Sequence, residues 1–121
     1  MKAFQLAFRM MAAESKILLY KLQTGRMTDQ EMATLYQGAI QTLINAKIYF
    51  DDSASVKISE LKAKARRLKK KQGLGLIVVD YVQLMRGDKT RGTRDEIIGE
   101  VAIQLKNLAM DLNVPVIGIS S

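Results

Sequence analysis

Apolar and polar positions alternate with the period of an amphipathic helix over most of the chain. Apolar residues recur every three or four positions, which places them on one face of a helix. The most regular stripe is formed by Ile97, Val101, Leu105, Leu108 and Leu112. The pattern predicts helices over residues 1–13, 28–45, 57–72 and 94–112, and a short helical turn over residues 16–23.

Local signals predict where these helices begin and end. Thr28 and Glu31 form the Thr-x-x-Glu pattern, in which each side chain satisfies a free backbone N–H of the other residue. Gly25 and Gly73 are expected stops, since glycine readily ends a helix, and Asn113 should end the last one. The buried side of the helix that begins near Thr28 should carry Met32, Leu35, Tyr36, Ala39 and Leu43.

Three short apolar runs predict β-strands, at residues 47–50, 76–80 and 114–119. A continuous run of β-branched residues suits a strand that is buried on both faces of a parallel sheet. Pro115 should lie near the start of its strand, where a missing N–H is tolerated. From residue 47 onward the order is strand, helix, strand, helix, strand, which is typical of doubly wound folds with right-handed crossovers. We therefore expect an α/β fold with three parallel strands and flanking helices.

The second of these strands ends abruptly in a carboxylate, Asp80. Ligands of open α/β sheets bind at the carboxyl ends of the strands, and nucleotide-hydrolysing proteins hold Mg²⁺ there through an aspartate. A glycine-rich phosphate loop usually accompanies that aspartate, and none occurs in the 121 residues. An aspartate in this place can also simply cap a turn, so the residues alone leave both interpretations open. For Asp51 and Asp52 we expect a solvated turn or a helix cap rather than a metal pair.

The composition narrows the chemistry that is open to the chain. It contains no cysteine and no histidine, which excludes disulfides, thiolate or imidazole zinc sites and imidazole acid–base catalysis. Any catalysis must therefore use carboxylates, Lys or Arg, hydroxyl groups and a bound metal. No apolar run approaches the roughly 20 residues that span a bilayer. Gln5 and Arg9 interrupt the apolar N-terminal stretch, which favours an amphipathic helix over a signal peptide.

The net charge of +7 favours anionic partners, nucleic acid first, because binding releases counterions. Many of the cations fall in two groups. The first group lies on the helix predicted over residues 57–72 and consists of Lys62, Lys64, Arg66, Arg67, Lys69, Lys70 and Lys71. A charge run on a helix is most often a solvated or intersubunit face, and the alternative here is a surface that binds DNA or another anionic partner. The second lies in a polar, glycine-dotted segment and consists of Arg86, Lys89, Arg91 and Arg94.

Residues 75–120 resemble the motor domain of DnaB-type replicative helicases. The resemblance begins with the Asp-Tyr-x-Gln-Leu-Met core of residues 80–85. It continues through Glu96-Ile97, the Leu-Lys-x-Leu-Ala segment of residues 105–109, and Asn113-Val114-Pro115-Val116. Shorter matches upstream, at residues 24–31, 48–52 and 65–67, extend it over essentially the whole chain.

The resemblance implies a partial RecA-like P-loop NTPase core over residues 1–121, from a cytoplasmic, ring-shaped hexamer. In the complete protein it implies that ATP and Mg²⁺ power the 5′–3′ unwinding of duplex DNA. Asp80 would hold the Mg²⁺ through water, with Gln83, Ser120 and Ser121 beside the nucleotide. The segment of residues 86–94 matches the first DNA-facing loop of the family. Its expected contacts with the backbone of single-stranded DNA are Arg86, Lys89, Arg91 and Arg94.

The chain also departs from the family pattern. In the family, the phosphate loop and the glutamate that polarises the attacking water would precede Met1, and further DNA-binding and intersubunit elements would follow Ser121. The family usually has Ser-Gln where this chain has Ser120-Ser121. We therefore expect an internal piece of the motor that is inactive, binds ATP weakly or undetectably, and holds no Mg²⁺ by itself. Two alternatives stay open, a non-catalytic DNA-binding or assembly module and another RecA-like ATPase.

Overall fold

The computed structural model describes residues 2–87 and 92–120 of the chain. These residues belong to two units, residues 1–52 and residues 53–121. The first unit is helical. The second combines helices with a sheet, and its described strands are parallel.

The first unit contains α1 (Ala3–Ser15), α2 (Leu19–Thr24) and a longer helical stretch that begins at Asp29 and ends at Asn45. The stretch is made of α3 (Asp29–Thr34), a π-helical segment (Leu35–Ala39) and α4 (Ile40–Asn45). The predicted capping box is confirmed, because the Thr28 hydroxyl accepts from the Glu31 N–H at 3.1 Å and Glu31 Oε1 accepts from the Thr28 N–H at 3.1 Å. Gly25 ends α2 with φ 73°, as its position in the sequence predicts.

Two predictions for the first unit are wrong. Residues 47–50 form no strand, and Ile48, Tyr49 and Phe50 are exposed. A strand requires a hydrogen-bonded neighbour, and no described strand pairs with this segment. Tyr36 was expected on the buried side of its helix but is 56% exposed, whereas Leu35 and Ala39 are buried. The π-helical segment adds residues to the turn and so changes which side chains share a face.

The second unit contains α5 (Ile58–Gln72), β1 (Ile77–Asp80), α6 (Arg94–Leu112) and β2 (Val116–Ile119). β1 and β2 are parallel neighbours, with Ile77 opposite Val116 and Asp80 opposite Ile119. The connection between them contains α6, which is the crossover that the order of elements predicts. The described residues therefore form an α/β unit with two parallel strands, and the expected third strand at residues 47–50 is the part that is wrong.

The core of the second unit lies between one face of the sheet and the two long helices. β1 contributes Ile77 and Val79, while the alternate residues Val78 and Asp80 are exposed. The stripe predicted on α6 is confirmed, since four of its five residues are buried and Ile97 is half-buried. The buried cluster consists of Ile58, Ala65, Ile77, Val79, Val101, Leu105, Leu108, Leu112 and Val114. Packing of this stripe against the strands fixes the sheet edge at which Asp80 lies.

Candidate functional site at the carboxyl edge of the sheet

Asp80 is the last residue of β1, at the carboxyl edge of the parallel pair. Its neighbour across the ladder is Ile119, the last residue of β2. Asp80 is exposed, and within residues 2–87 and 92–120 its carboxylate has no hydrogen bond or ion pair. The Asp80–Tyr81 peptide bond is cis. The carboxylate oxygens are therefore available to a ligand at the place where α/β sheets bind one.

A single free carboxylate fits Mg²⁺ better than it fits a metal ion whose ligands all come from the protein. Mg²⁺ keeps several of its waters and is held by one or two carboxylates together with substrate phosphates. Among the described residues, no group of three or more carboxylates is placed to enclose an ion. The donor set around Asp80 thus fits a magnesium ion that is shared with a nucleotide.

Gln83 lies in a short 3₁₀ turn, Val82–Leu84, that directly follows Asp80 and Tyr81. Its side-chain amide Nε2 donates a hydrogen bond of 2.7 Å to the Ser120 hydroxyl, immediately beyond β2. The bond joins the chain segments that leave the two strands at the same edge. The structure thus brings together Gln83 and Ser120, two of the predicted neighbours of the nucleotide. Ser121, the third, lies outside the described residues.

Gly118 in β2 explains how closely the turn after β1 packs on the next strand. A Cβ atom at this position would lie 3.0 Å from Cγ2 of Val82 and 3.9 Å from Cδ1 of Leu105. Side chains tolerate the first of these separations poorly, so glycine permits the close approach. The prediction of the site from the sequence missed this residue, and its signal was a glycine inside an otherwise β-branched run.

The predicted DNA-facing loop is described only at its two ends. Lys89 and Arg91 lie outside the described residues. Arg94 is the exposed first residue of α6, and Thr93 caps that helix by accepting from the Glu96 N–H at 3.2 Å. Arg86 is also exposed, and its Nε donates to the Ser55 carbonyl at 3.0 Å. Each described end of the loop thus carries an exposed cation, Arg86 at one end and Arg94 at the other.

Three cations of the run on α5 bond to the neighbouring helix α6. Lys62, Arg66 and Lys69 recur at helical spacing and face α6. Lys62 Nζ donates to Oε1 of Gln104, and Nη2 of Arg66 lies 3.5 Å from Oδ2 of Asp111. Lys69 Nζ donates to the carbonyl of Leu112, where a cation also complements the negative end of the helix dipole. These three cations therefore serve the contact between α5 and α6.

Asp52 caps the first turn of α1, as expected from the sequence. Its Oδ2 accepts a hydrogen bond of 3.0 Å from the Ala3 N–H in the first turn of α1. A carboxylate stabilises this end of a helix because the first N–H groups lack partners within the helix.

In the described part of the chain, no helix is long and apolar enough to cross a membrane.

The chain is similar to known proteins along its whole length. The family model of the DnaB-like helicase C-terminal domain matches residues 1–121. The replicative DNA helicase DnaB of Geobacillus stearothermophilus is 43% identical over 99% of this chain, which covers 26% of the relative. The replicative DNA helicase DnaC of Bacillus subtilis (strain 168) is 40% identical over the same shares. The chain thus spans about a quarter of the length of these two relatives.

Solved structures show the same fold. A DnaB-like replicative helicase, described with its interactions with primase, has a TM-score of 0.89 and 25% identity over 98% of this chain and 29% of that one. A solved ATPase domain has a TM-score of 0.90 and 25% identity over 98% of this chain and 43% of its own. Together with the family model, which matches every residue, these likenesses establish that the chain belongs to the family of DnaB-like helicase C-terminal domains.

Proposed function

We propose that this chain is part of the motor of a hexameric replicative DNA helicase, which hydrolyses ATP to unwind duplex DNA. The observation that carries the proposal is the free Asp80 carboxylate, at the carboxyl end of a parallel strand in a chain of this family. Its relatives are replicative DNA helicases, and one structural neighbour is an ATPase domain. Together they support a nucleotide site at this edge of the sheet.

Asp80 is the residue of this chain that would hold Mg²⁺, through water, beside the phosphates of ATP. A bound ion would supply the positive charge that phosphoryl transfer requires at the phosphates. Asp80 is exposed, and no residue in the described part of the chain competes for its carboxylate, so both oxygens are available for this role. Gln83 holds Ser120 through its hydrogen bond, so the two strand ends that line the nucleotide keep a fixed separation. Ser121 follows Ser120 in the sequence and stays a predicted neighbour of the nucleotide.

The phosphates of ATP require a cradle that the 121 residues do not contain. Backbone N–H groups of a glycine-rich loop supply most of the affinity for phosphate in such sites. We propose that the complete site takes this loop from sequence outside the present residues. On its own, the chain is expected to be inactive and to bind ATP weakly.

The segment of residues 86–94 faces single-stranded DNA. Lys89, Arg91 and Arg94 attract the phosphates, and the exposed Gly92 allows close approach of the backbone. The segment contains no aromatic residue on which a base could stack. It therefore follows the sugar–phosphate backbone without reading sequence, as a protein that translocates along DNA must.

Replacement of Asp80 by Asn in the full-length protein tests the nucleotide site. The change keeps the shape of the side chain and removes its charge, so Mg²⁺-dependent ATP hydrolysis should fall by about 10- to 100-fold, the usual effect of losing a group that acts on a metal through water. The measurement is the rate of hydrolysis at several Mg²⁺ concentrations, with circular dichroism to confirm that the fold is kept.

Asp111→Asn is the matched control. Asp111 is exposed on the last turns of α6, and its ion pair with Arg66 is open to solvent, where such pairs contribute little. The control should hydrolyse ATP at the rate of the unmodified protein. Near-normal hydrolysis by the Asp80→Asn protein, with its fold intact, would show that Asp80 is not a metal-side residue.

A further inference from the structure

The entry to the 86–94 loop is tied to the start of α5 by the backbone of Arg86. The Arg86 N–H donates to the Val56 carbonyl at 3.0 Å, and the Arg86 carbonyl accepts from the Ile58 N–H at 3.0 Å. These bonds place Lys57 beside Arg86 in a short parallel bridge. Ile58 is the first residue of α5, and its N–H has no partner within the helix. Arg86 therefore supplies an acceptor that this end of the helix needs.

The Arg86 side chain adds a third bond to the same segment. Its Nε donates to the Ser55 carbonyl at 3.0 Å. Ser55 has a positive φ of 53°, an uncommon conformation outside glycine that occurs mainly in turns. The side chain thus holds a specific turn conformation just before α5, and one of its N–H groups is committed to that turn.

The loop is also held just beyond Arg86 and again where it rejoins α6. Gly87 is buried, and a Cβ atom there would lie 3.3 Å from the Glu100 carboxylate. At the other end, the Thr93 cap fixes the start of α6. The described residues at both ends of the loop thus pack against or begin a helix, and binding loops are positioned by the elements at their ends.

We propose that Arg86 is a positioning residue for the loop and makes no DNA contact of its own. Its Nε–H, rather than its positive charge, is the feature that matters, because that group bonds the Ser55 carbonyl. The inference deepens the proposed function, since it rests on the role of the loop in DNA binding. It separates the cations of the segment into one that sets the loop and three that attract phosphate.

Two substitutions at residue 86 in the full-length protein distinguish a bonding role from a charge role. Gln has the same number of carbons before its nitrogen, so Arg86→Gln keeps an N–H donor near the position of Nε and removes the charge. Arg86→Lys keeps the charge and moves the donor one atom further along a flexible chain. Arg86→Ala removes both. The probe is an oligothymidine, and its affinity is measured over a series of salt concentrations.

A positioning role predicts that Gln, not Lys, rescues the Ala variant. Arg86→Ala should bind the oligonucleotide roughly twofold to tenfold more weakly, the value of one lost hydrogen bond. Its salt slope should be unchanged, because no phosphate contact is removed, and Arg86→Gln should bind like the unmodified protein. If Arg86→Lys restores binding while Arg86→Gln does not, and the Ala variant lowers the salt slope by about one, Arg86 contacts phosphate and the proposal is overturned.

Amide hydrogen exchange without DNA provides the structural readout. The Ile58 and Arg86 amides should exchange faster in Arg86→Ala and normally in Arg86→Gln, whereas a phosphate contact would leave them unchanged in both. Lys89→Ala tests the loop itself and should lower the salt slope by about one while leaving these amides unchanged. If Lys89→Ala leaves binding and slope unaltered, the proposed DNA role of the loop fails, and the exchange data alone decide whether Arg86 anchors it. Arg26→Ala, at an exposed arginine of the first unit, controls for the loss of one charge.

Discussion

The apolar run at residues 47–50 and the run at residues 76–80 look alike in sequence but differ in structure. The second becomes β1, pairs with β2 and buries Ile77 and Val79. The first remains irregular, and its apolar side chains are exposed. A strand is completed by a neighbour that the chain must supply from elsewhere, whereas a helix bonds within itself. The contrast shows that an apolar run predicts a strand only where its partner is also present.

The two units also differ in how many apolar side chains they bury and how completely they bury them. In the described residues 53–120, nine buried apolar side chains form one cluster, and Ile58 and Leu108 are fully buried. In residues 2–52, the cluster has four buried members, none of them below 3% exposure. The first unit also has an apolar groove of about 230 Å³, lined by residues that include Met10, Leu43 and Phe50. Its helices are set by local signals more than by a closed core.

Matched leucine truncations should give the largest difference between the two units. Leu108→Ala should destabilise α6 by about 2–5 kcal/mol, because it removes a fully buried side chain from a closed cluster. Leu35→Ala should cost less in the 29–45 stretch, since Leu35 lies in the smaller cluster, where neighbours can move into the space. Hydrogen exchange of the amides in each region of the full-length protein measures both losses. Equal losses would mean that the two cores are closed to the same degree.

Loss of a helix cap should have a smaller effect, and its extent along the chain should differ between the units. Thr28→Ala and Thr93→Ala each remove one side-chain acceptor and should cost about 1 kcal/mol. In α6 the faster exchange should stay within the first turn, because the buried stripe holds the rest of the helix. In the stretch that starts at Asp29, it should spread into the π-helical segment. Thr28→Ser and Thr93→Ser keep the hydroxyl acceptor, so amide exchange in both helices should be normal. If the faster exchange spreads equally far in the two Ala variants, the two units do not differ in this respect.

Acid should lower the stability of the first unit through protonation of Glu31. This effect should be smaller than those of the leucine truncations and the cap removals. The Thr28 N–H, and then the Lys21 ammonium 3.0 Å away, hold the pKa of Glu31 below its ordinary value. The folded state thus favours the charged carboxylate, so this contribution is present above the ordinary pKa and is lost as the pH falls through the lowered one. Exchange of the α2 and α3 amides, measured over an acid series, should show the loss.

Two substitutions complete the acid experiment. Glu31→Gln removes the titrating group, so the acid-dependent part of the exchange should disappear. Glu14→Gln, at an exposed glutamate of α1, makes the same change in charge and should leave the acid response of α2 and α3 intact. An acid response that survives in Glu31→Gln would assign it to another group.

Much of the second unit could be predicted from the sequence. The bounds predicted for α6 agree with the structure at both ends, and Asn113 ends the helix in the left-handed conformation. β1 ends at Asp80 as its apolar run indicates, and Pro115 precedes β2, with its carbonyl accepting from the Ile77 N–H. The prediction of the family is confirmed over the whole chain. These features depend on local periodicity and on short motifs, which a sequence displays directly.

The candidate site was predictable only in part. Asp80 is predicted by its place at a strand end, and its metal role stays a prediction, as do the DNA contacts of Lys89, Arg91 and Arg94. The predicted DNA contact of Arg86 is untested as well, and we propose a positioning role for this residue instead. The bond from Gln83 to Ser120 joins residues 37 positions apart, and the bond from Arg86 to Ser55 joins residues 31 apart. No periodicity encodes such separations. Likewise, the charge run on α5 indicated a solvated or intersubunit face, whereas Lys62 and Lys69 bond to α6.

The sequence by itself determined the helices with their caps, and its short motifs indicated membership of the DnaB-like family. The helices and caps depend on interactions between residues a few positions apart, whose energies are nearly independent of the rest of the fold. The tertiary structure alone decided which apolar runs pair into a sheet, which cations bond to a neighbouring helix and which side chains meet at the sheet edge. Those outcomes depend on distant segments arriving at the same place, and the entropy lost in bringing them together is offset only by the packing of the complete core.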